Sequence, residues 1–282
     1  MENLLSKIKS IIKPCYILYR RTIQDVKWYI QYYKAKKERL YSNQLSKLDL
    51  DTTKKIVVLV PHADDEWIGP YSILKQRPPL LHCIYFNLFG DNYSEENIRA
   101  RNREILASSK YWGYKLINNF NCDAESLYDE IVTAKYCFIP SPIDWHPEHR
   151  KVFQTFVQAF SKLTKEQRDT LEVYYYSVSV PHSCSEHLFY IPLTKQEVDA
   201  KWNVFPEVYN SQKFMPALRY KLQLRLIPSE IGYAAQTFIK ASYDRIIEDV
   251  AMLKQSSIVE QLSEMLKSIN SIYQARKLKD LK

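Results

Sequence analysis

The stretch Ile56–Gly69, IVVLVPHADDEWIG, constrains the fold more than any other part of the chain. Val57–Val60 is an unbroken apolar run and reads as a short strand buried on both faces, as in a parallel sheet. The run stops at Pro61, and His62, Asp64, Asp65 and Glu66 follow at once. Open α/β sheets bind their ligands just beyond the carboxyl ends of such strands. An imidazole and a carboxylate three residues apart, His62 and Asp65, can both reach one divalent metal, which leaves Asp64 free to handle a proton. The alternative is a polar turn in which Asp64 or Asp65 caps the next helix.

A second stretch, Tyr136–Arg150 (YCFIPSPIDWHPEHR), has the same design. An apolar run, Tyr136–Ile139, leads into a loop carrying Asp144, His146, Glu148 and His149. Pro147 suits the first position of a helix and Glu148 its first turn, so His149 falls just inside a helix start. His62, Asp65 and His149 then make a two-histidine, one-carboxylate set with an open coordination position, the pattern of catalytic rather than structural metal sites. The alternative is a surface helix start with incidental histidines, but three of the chain's six histidines fall in these two loops.

These residues resemble the PIG-L/LmbE-like family of zinc-dependent N-acetylglucosamine deacetylases. His62-Ala63-Asp64-Asp65-Glu66 resembles its HPDDE signature and Asp144-Trp145-His146-Pro147-Glu148-His149 its D-x-H-P-D-H signature. Arg101-x-x-Glu104 with Gly113 resembles the family's R-x-x-E helix. Lys201-Trp202 with Tyr209-Asn210-Ser211-Gln212 resembles its K…Y-x-SQ segment, and Gly232-Tyr233-Ala234-Ala235-Gln236-x-Phe238 its closing motif. The resemblance runs from about Lys54 to Ala241. Ala63 stands where the family has Pro, Trp112 where it has Leu, and Gln236 where it has Glu.

The resemblance implies Zn²⁺ held by His62, Asp65 and His149, with Asp64 taking the water proton and returning it to the leaving amine. It implies that His146, as imidazolium, stabilises the tetrahedral oxyanion and that Asp144 orients a histidine. Glu66 is placed behind the ligands or against substrate. Arg101 and Glu104 either hold sugar hydroxyls or form an i,i+3 pair, and the pair is the preferred reading. The ligand set itself suits Fe²⁺ as well as Zn²⁺.

Four glycines, Gly69, Gly90, Gly113 and Gly232, are too far apart for a P-loop or a G-x-G-x-x-G cradle, which excludes kinases and nicotinamide dehydrogenases of the usual kinds. Five cysteines without a C-x-x-C point to the reducing cytoplasm, with Cys83 and Cys137 as plain buried thiols. No run is apolar enough to span a membrane. Lys7, Lys9 and Lys13 interrupt the apolar positions at the start, so no signal peptide is expected.

Residues 1–50 form a basic helical arm. Leu4, Leu5, Ile8, Ile11 and Ile12 recur at helical spacing up to Pro14, and a second helical stretch covers Arg20–Tyr41. Through Asn43 there are ten Lys and Arg against three Asp and Glu, nearly all of the chain's net charge of +8. Such an arm fits either an anionic membrane surface, contacted through residues 1–43 at its cytoplasmic face, or packing on the domain. Nucleic acid is disfavoured, because the charge does not continue into the core.

From Lys54 onward strands and helices alternate. Strands are expected at Ile56–Val60, Leu81–Asn87, Leu116–Phe120, Tyr136–Ile139 and Val173–Ser179, and helices at Ile68–Gln76, Glu95–Trp112, Ser126–Ala134 and Glu148–Leu163. The expected fold is α/β, a Rossmann-like, mostly parallel sheet flanked by helices over residues 51–241. A helical segment follows over 242–282, where Ile246, Ile247, Val250, Leu253, Ile258, Leu262, Met265, Leu266, Ile269 and Ile272 keep a 3–4 spacing. The last sixty or so residues read as helical.

The expected function is metal-dependent removal of the acetyl group from an N-acetylated amino sugar, lipid- or nucleotide-linked, in glycan building. The competing readings are a membrane-associated scaffold with a vestigial metal site and a hydrolase of another amide, such as a thiol conjugate. The intact Asp64 argues against a dead site.

Overall fold

Strand β2 (Ile56–Val60) is buried along its whole length. Val57 and Leu59 face one apolar layer with Ile139, Phe153 and Phe156, while Ile56, Val58 and Val60 face another with Trp67, Phe138 and Phe205. A strand covered on both faces carries apolar residues without alternation, which is why the sequence shows an unbroken run. The computed structural model describes residues 2–89, 93–257, 259–261, 264 and 272–278, with side chains from Tyr19 onward. Gly90, Ile258, Leu262, Met265, Leu266, Ile269 and the side chains of Leu4, Leu5, Ile8, Ile11 and Ile12 lie outside the described residues.

The other strands are β1 (Leu45–Lys47), β3 (Leu81–Tyr85), β4 (Lys115–Asn118), β5 (Tyr136–Pro140), β6 (Glu172–Tyr176), β7 (Leu188–Leu193) and β8 (Ala234–Ala241). They form one eight-stranded sheet in the order β1-β7-β8-β6-β5-β2-β3-β4. β8 runs antiparallel to both of its neighbours, and every other pairing is parallel. The chain winds from β2 out to β3 and β4, then returns to place β5 on the other side of β2. The order therefore reverses between β2 and β5, where a crevice opens at the carboxyl ends of the strands.

Helices cover both faces. On one side lie α2 (Asp65–Ile68), α3 (Tyr71–Leu74), α4 (Glu95–Trp112), α8 (Lys195–Val208) and α9 (Ala217–Leu224); on the other lie α5 (Ala124–Ile131), α6 (Pro147–Ser161) and α10 (Tyr243–Leu253). A short helix, α7 (Lys165–Thr170), connects α6 to β6. The expected mostly parallel α/β sheet is what forms. The expected helix over Ile68–Gln76 is instead two short ones separated by Gly69-Pro70, because Pro70 has no N–H to continue the first. α4 has both caps of a well-made helix. The Ser94 hydroxyl accepts from Asn97 N–H, and Gly113 takes the left-handed C-terminal position with φ +81°.

Two further expectations need correction, and one helix was not foreseen. α1 (Glu2–Lys37) is one helix, so the break at Pro14 does not occur; an internal proline costs a hydrogen bond and kinks a helix without having to end it. The helical reading of the last sixty residues fails at β8, an Ala-rich segment with no alternation that is buried on both faces between β6 and β7. α8 had no counterpart among the expected elements. From Trp28 onward the inner face of α1 packs, Trp28, Tyr32 and Ala35 meeting Leu222, Leu226 and Ile272 of the C-terminal helix Ile272–Lys277. Its outer face leaves Tyr19, Ile23, Val26, Ile30 and Tyr33 exposed.

Gly69 sits where the ring of Tyr176 closes over the loop, and an added Cβ would run into that ring. Tyr176 cannot easily yield, because its hydroxyl donates to the Leu59 carbonyl at 2.6 Å. Gly69→Ala is therefore expected to cost about 1–3 kcal/mol of stability through overpacking. Urea unfolding reads this directly, and an unchanged midpoint would contradict the packing described.

Candidate metal centre

β2 delivers Pro61 and His62 to the crevice, and the chain then turns sharply. The turn is made by Asp64 at φ +131°, ψ −20°, an unusual backbone for a residue with a side chain. The strain sends Asp64 and Asp65 to opposite sides. Asp65 folds back: its Oδ2 accepts from His62 N–H at 2.9 Å and lies 3.2 Å from His62 Nδ1.

β5 supplies the other half. After Pro140 the loop runs to Asp144, whose Oδ1 accepts from His146 N–H at 3.0 Å and whose Oδ2 accepts from Ser179 N–H at 3.3 Å. His146 caps α6, Pro147 begins it, and His149 lies fully buried in its first turn. His149 Nε2 is 3.2 Å from Asp65 Oδ2 and 3.2 Å from His62 Nδ1. On the far side of the ring, Nδ1 stands 3.3 Å from Asp144 Oδ2, close enough for an ion pair though without a well-aligned hydrogen bond.

His62 Nδ1, Asp65 Oδ2 and His149 Nε2 thus form a triangle with 3.2 Å edges. Donor atoms in a tetrahedral shell with bonds of about 2.0–2.1 Å lie about 3.3–3.4 Å apart, so the donor set fits a small divalent cation without rearrangement. The electrostatics agree. Burial works against the charge on Asp65, yet His149 and His62 hold its carboxyl well below the usual range. Burial opposes charge on His149 too, but Asp144 and Asp65 pull it well above its ordinary value. The pocket is built to hold positive charge between two carboxylates, which a proton or a metal cation can supply. Asp144→Asn should weaken the binding of a divalent cation at this triangle by about 10–100-fold, the usual effect of removing the partner behind a ligating histidine. A competition titration against a chelating dye measures it, and an unchanged affinity would remove Asp144 from that task.

Behind the turn, Asp64 Oδ1 meets Arg101 Nη2 of α4 at 3.2 Å. The guanidinium is also capped by the side-chain oxygen of Gln212, with that amide oriented by its hydrogen bonding. Burial pushes Asp64 up to about 8, with Arg101 pulling the other way and Asp65 and Glu66 adding to the rise. Glu66 is sealed beneath the turn. It accepts from Ser108 Oγ at 2.7 Å, Tyr114 OH at 3.3 Å, Asp64 N–H at 3.2 Å and, more closely still, Tyr209 OH. It anchors the loop to α4 and α8 and stays away from the three donor atoms.

All the expected site residues come together except one pairing. Arg101 and Glu104 do not pair with each other: Arg101 turns to Asp64, and Glu104 accepts from the Ser211 N–H and hydroxyl, both at 2.7 Å. Both face the segment Asn210–Gln212 from one side of α4, but each takes a partner there or in the turn instead of the other. His146 lies at the rim, its ring 5.6 Å from that of His62 and 5.1 Å from that of Trp145. Burial holds His146 below its ordinary value, with Asp144 pulling the other way and His149 and His62 adding to the fall, which works against the imidazolium expected there. Tyr209 and Gln212 had no role in the sequence reading, although the Y-x-SQ segment that contains them was visible.

No family model and no curated protein matches the chain. Among solved structures, the chain is similar to the conserved protein TT1542 from Thermus thermophilus, at 19% identity and TM-score 0.50, over 66% of this chain and 94% of that one. It is also similar to the zinc-inhibited form of teicoplanin deacetylase Orf2, at 12% identity and TM-score 0.48, over 67% of this chain and 99% of that one. The likeness to TT1542 is one of fold.

Proposed function

We propose that this chain is a metal-dependent hydrolase that removes the acetyl group from an N-acetylated amino sugar. The observation that carries the reading is the triangle of His62, Asp65 and His149 donor atoms at the strand switch point, with the adjacent Asp64 outside it and held by Arg101. The choice of an amino-sugar acetamide rests on the two signature-like loops, HADDE and DWHPEH.

His62, Asp65 and His149 would hold the ion, Zn²⁺ or Fe²⁺, which when bound lowers the pKa of a water and polarises an amide oxygen. The remaining work belongs to the chain. Asp64 accepts the proton of the attacking water and returns it to the departing amine; a carboxyl titrating near neutrality suits both directions. Arg101 and Gln212 fix its orientation. His146, half-buried at the rim, donates a hydrogen bond to the oxygen on which charge develops. Asp144 holds the His149 ring. Phe89, with its ring 6.2 Å from that of His62, and Trp145 offer apolar faces at the mouth for a sugar ring.

The exposed stripe Tyr19, Ile23, Val26, Ile30 and Tyr33 along the basic helix α1 supports contact with an anionic membrane surface, where a lipid-linked substrate would be found. The test of the reading is a free-amine assay on N-acetylhexosamines presented free, nucleotide-linked and lipid-linked. Release of amine from at least one of them is expected, and none from any would sink the substrate class.

A further inference from the structure

Apart from the metal centre, a cavity of about 30 Å³ opens between α2, the segment after β6, α8, α9, the start of β8 and the C-terminal helix. None of the metal-centre residues lines it, and neither does any carboxylate of the described residues. Two cations do. Arg276 of the C-terminal helix is only 3% exposed, and its Nε and Nη1 have no partner among the described residues. Lys201 of α8 is 1% exposed, and its Nζ donates to the Ile68 carbonyl at 3.0 Å, beside the faces of Tyr71 and Trp202. Gln223 of α9 brings a third donor, its Nε2, also without a partner among the described residues. The Gln236 amide is already committed to Ser72 N–H and the Ile68 carbonyl, so it cannot answer these donors.

A buried charge with no counter-charge is among the costliest features a fold can carry. Lys201 can shed its proton, and burial pulls it down to about 7. Arg276 cannot: burial lowers it only to about 10, so its charge persists at neutral pH. Water can occupy donors but cannot neutralise them. Three elements distant in sequence thus line one small space, two of them with unanswered buried donors and the third with Lys201, whose Nζ meets only a carbonyl among the described residues.

We propose that this cavity binds one small oxyanion, phosphate-like, through Arg276, Lys201 and Gln223. A guanidinium donates charge-assisted hydrogen bonds to oxygens of such an anion, while an ammonium and an amide N–H meet the others. A cavity of about 30 Å³ has room for a small group and not for a base or sugar attached to it. The anion is either free inorganic phosphate or the phosphoryl group of a larger ligand reaching in. In both cases it ties the C-terminal helix to α8 and α9.

The test is thermal unfolding of the full chain at constant ionic strength, with gluconate as the bulk anion and inorganic phosphate titrated in. Above half-saturation the melting temperature should rise by about 2–4 °C for each tenfold increase in phosphate. Calorimetric titration should show one site per chain. Arg276→Met should abolish the phosphate response and, without phosphate, melt no lower than wild type, because a lone buried charge has been removed. Should that variant fail to fold, Lys201→Met, read by calorimetry alone, should bind phosphate at least tenfold more weakly. Glycerol 3-phosphate separates the two sources: competition with phosphate identifies a tethered phosphoryl group, and its failure to compete identifies a free anion. The proposal is overturned if wild type shows no phosphate response, if Arg276→Met keeps the same slope, or if chloride produces the same rise.

Discussion

Asp65→Ala is expected to lose bound metal and turnover together. Asp65 Oδ2 is shared by the whole site: it accepts from His62 N–H at 2.9 Å and lies 3.2 Å from both His62 Nδ1 and His149 Nε2. Removing it takes away one ligand and the hydrogen bond that closes the loop, and it leaves two imidazoles facing each other with no anion between them. A metal that polarises an amide contributes several kcal/mol, so the loss of rate should be ~10³-fold or more at 1.36 kcal/mol per decade. Elemental analysis and a free-amine assay on the same preparation read both effects, with circular dichroism to confirm the fold. His62→Ala and His149→Ala should behave alike. Full metal occupancy in all three proteins would show that these residues are not the ligands.

Asp64→Asn should do the opposite, keeping the metal and losing the chemistry. Asparagine preserves the shape at the strained turn and can still meet Arg101, but it has no basic carboxylate. A loss of ~10²–10⁴-fold is the usual worth of a positioned general base. The pH profile should change as well. In the wild type the carboxylate form is the base, so kcat/KM should rise with pH as the coupled Asp64–water pair loses its proton, and burial displaces Asp64 to about 8. In the asparagine variant that ascending limb should move or vanish. Loss of metal in Asp64→Asn would mean that the two aspartates are assigned the wrong way round. Retention of full activity would pass the role of base to His146, since Glu66 is sealed behind the turn by Ser108, Tyr114 and Tyr209.

The parts of this site that were legible in the sequence are those that local chemistry dictates. β2 occupies its expected span, Ile56–Val60, because burial on both faces leaves an apolar run with a hard stop at Pro61. α4 matches Glu95–Trp112 because Ser94 and Gly113 mark its ends. The parting of Asp65, between His62 and His149, from Asp64, on Arg101, was legible in two adjacent carboxylates in a turn. What was not legible depends on distant partners. Nothing local to Arg101 says that it faces Asp64 and not Glu104, and nothing local to Ala234–Ala241 says that β6 and β7 will flank it. The burial that works against charge on His146 arises only when β2 and β5 lie side by side. α8 could have been found, since Thr194 and Glu197 make a capping box in the sequence, but Pro206 inside it disguises its length.

On the function proposed above, one metal ion held by His62, Asp65 and His149 is needed for amide hydrolysis. The most direct test is the metal content and free-amine activity of one wild-type preparation before chelation, after chelation and after Zn²⁺ or Fe²⁺ is restored. About one ion per chain is expected, with activity lost with the ion and regained on adding back either Zn²⁺ or Fe²⁺. Undiminished deacetylation by the metal-free protein would contradict that function.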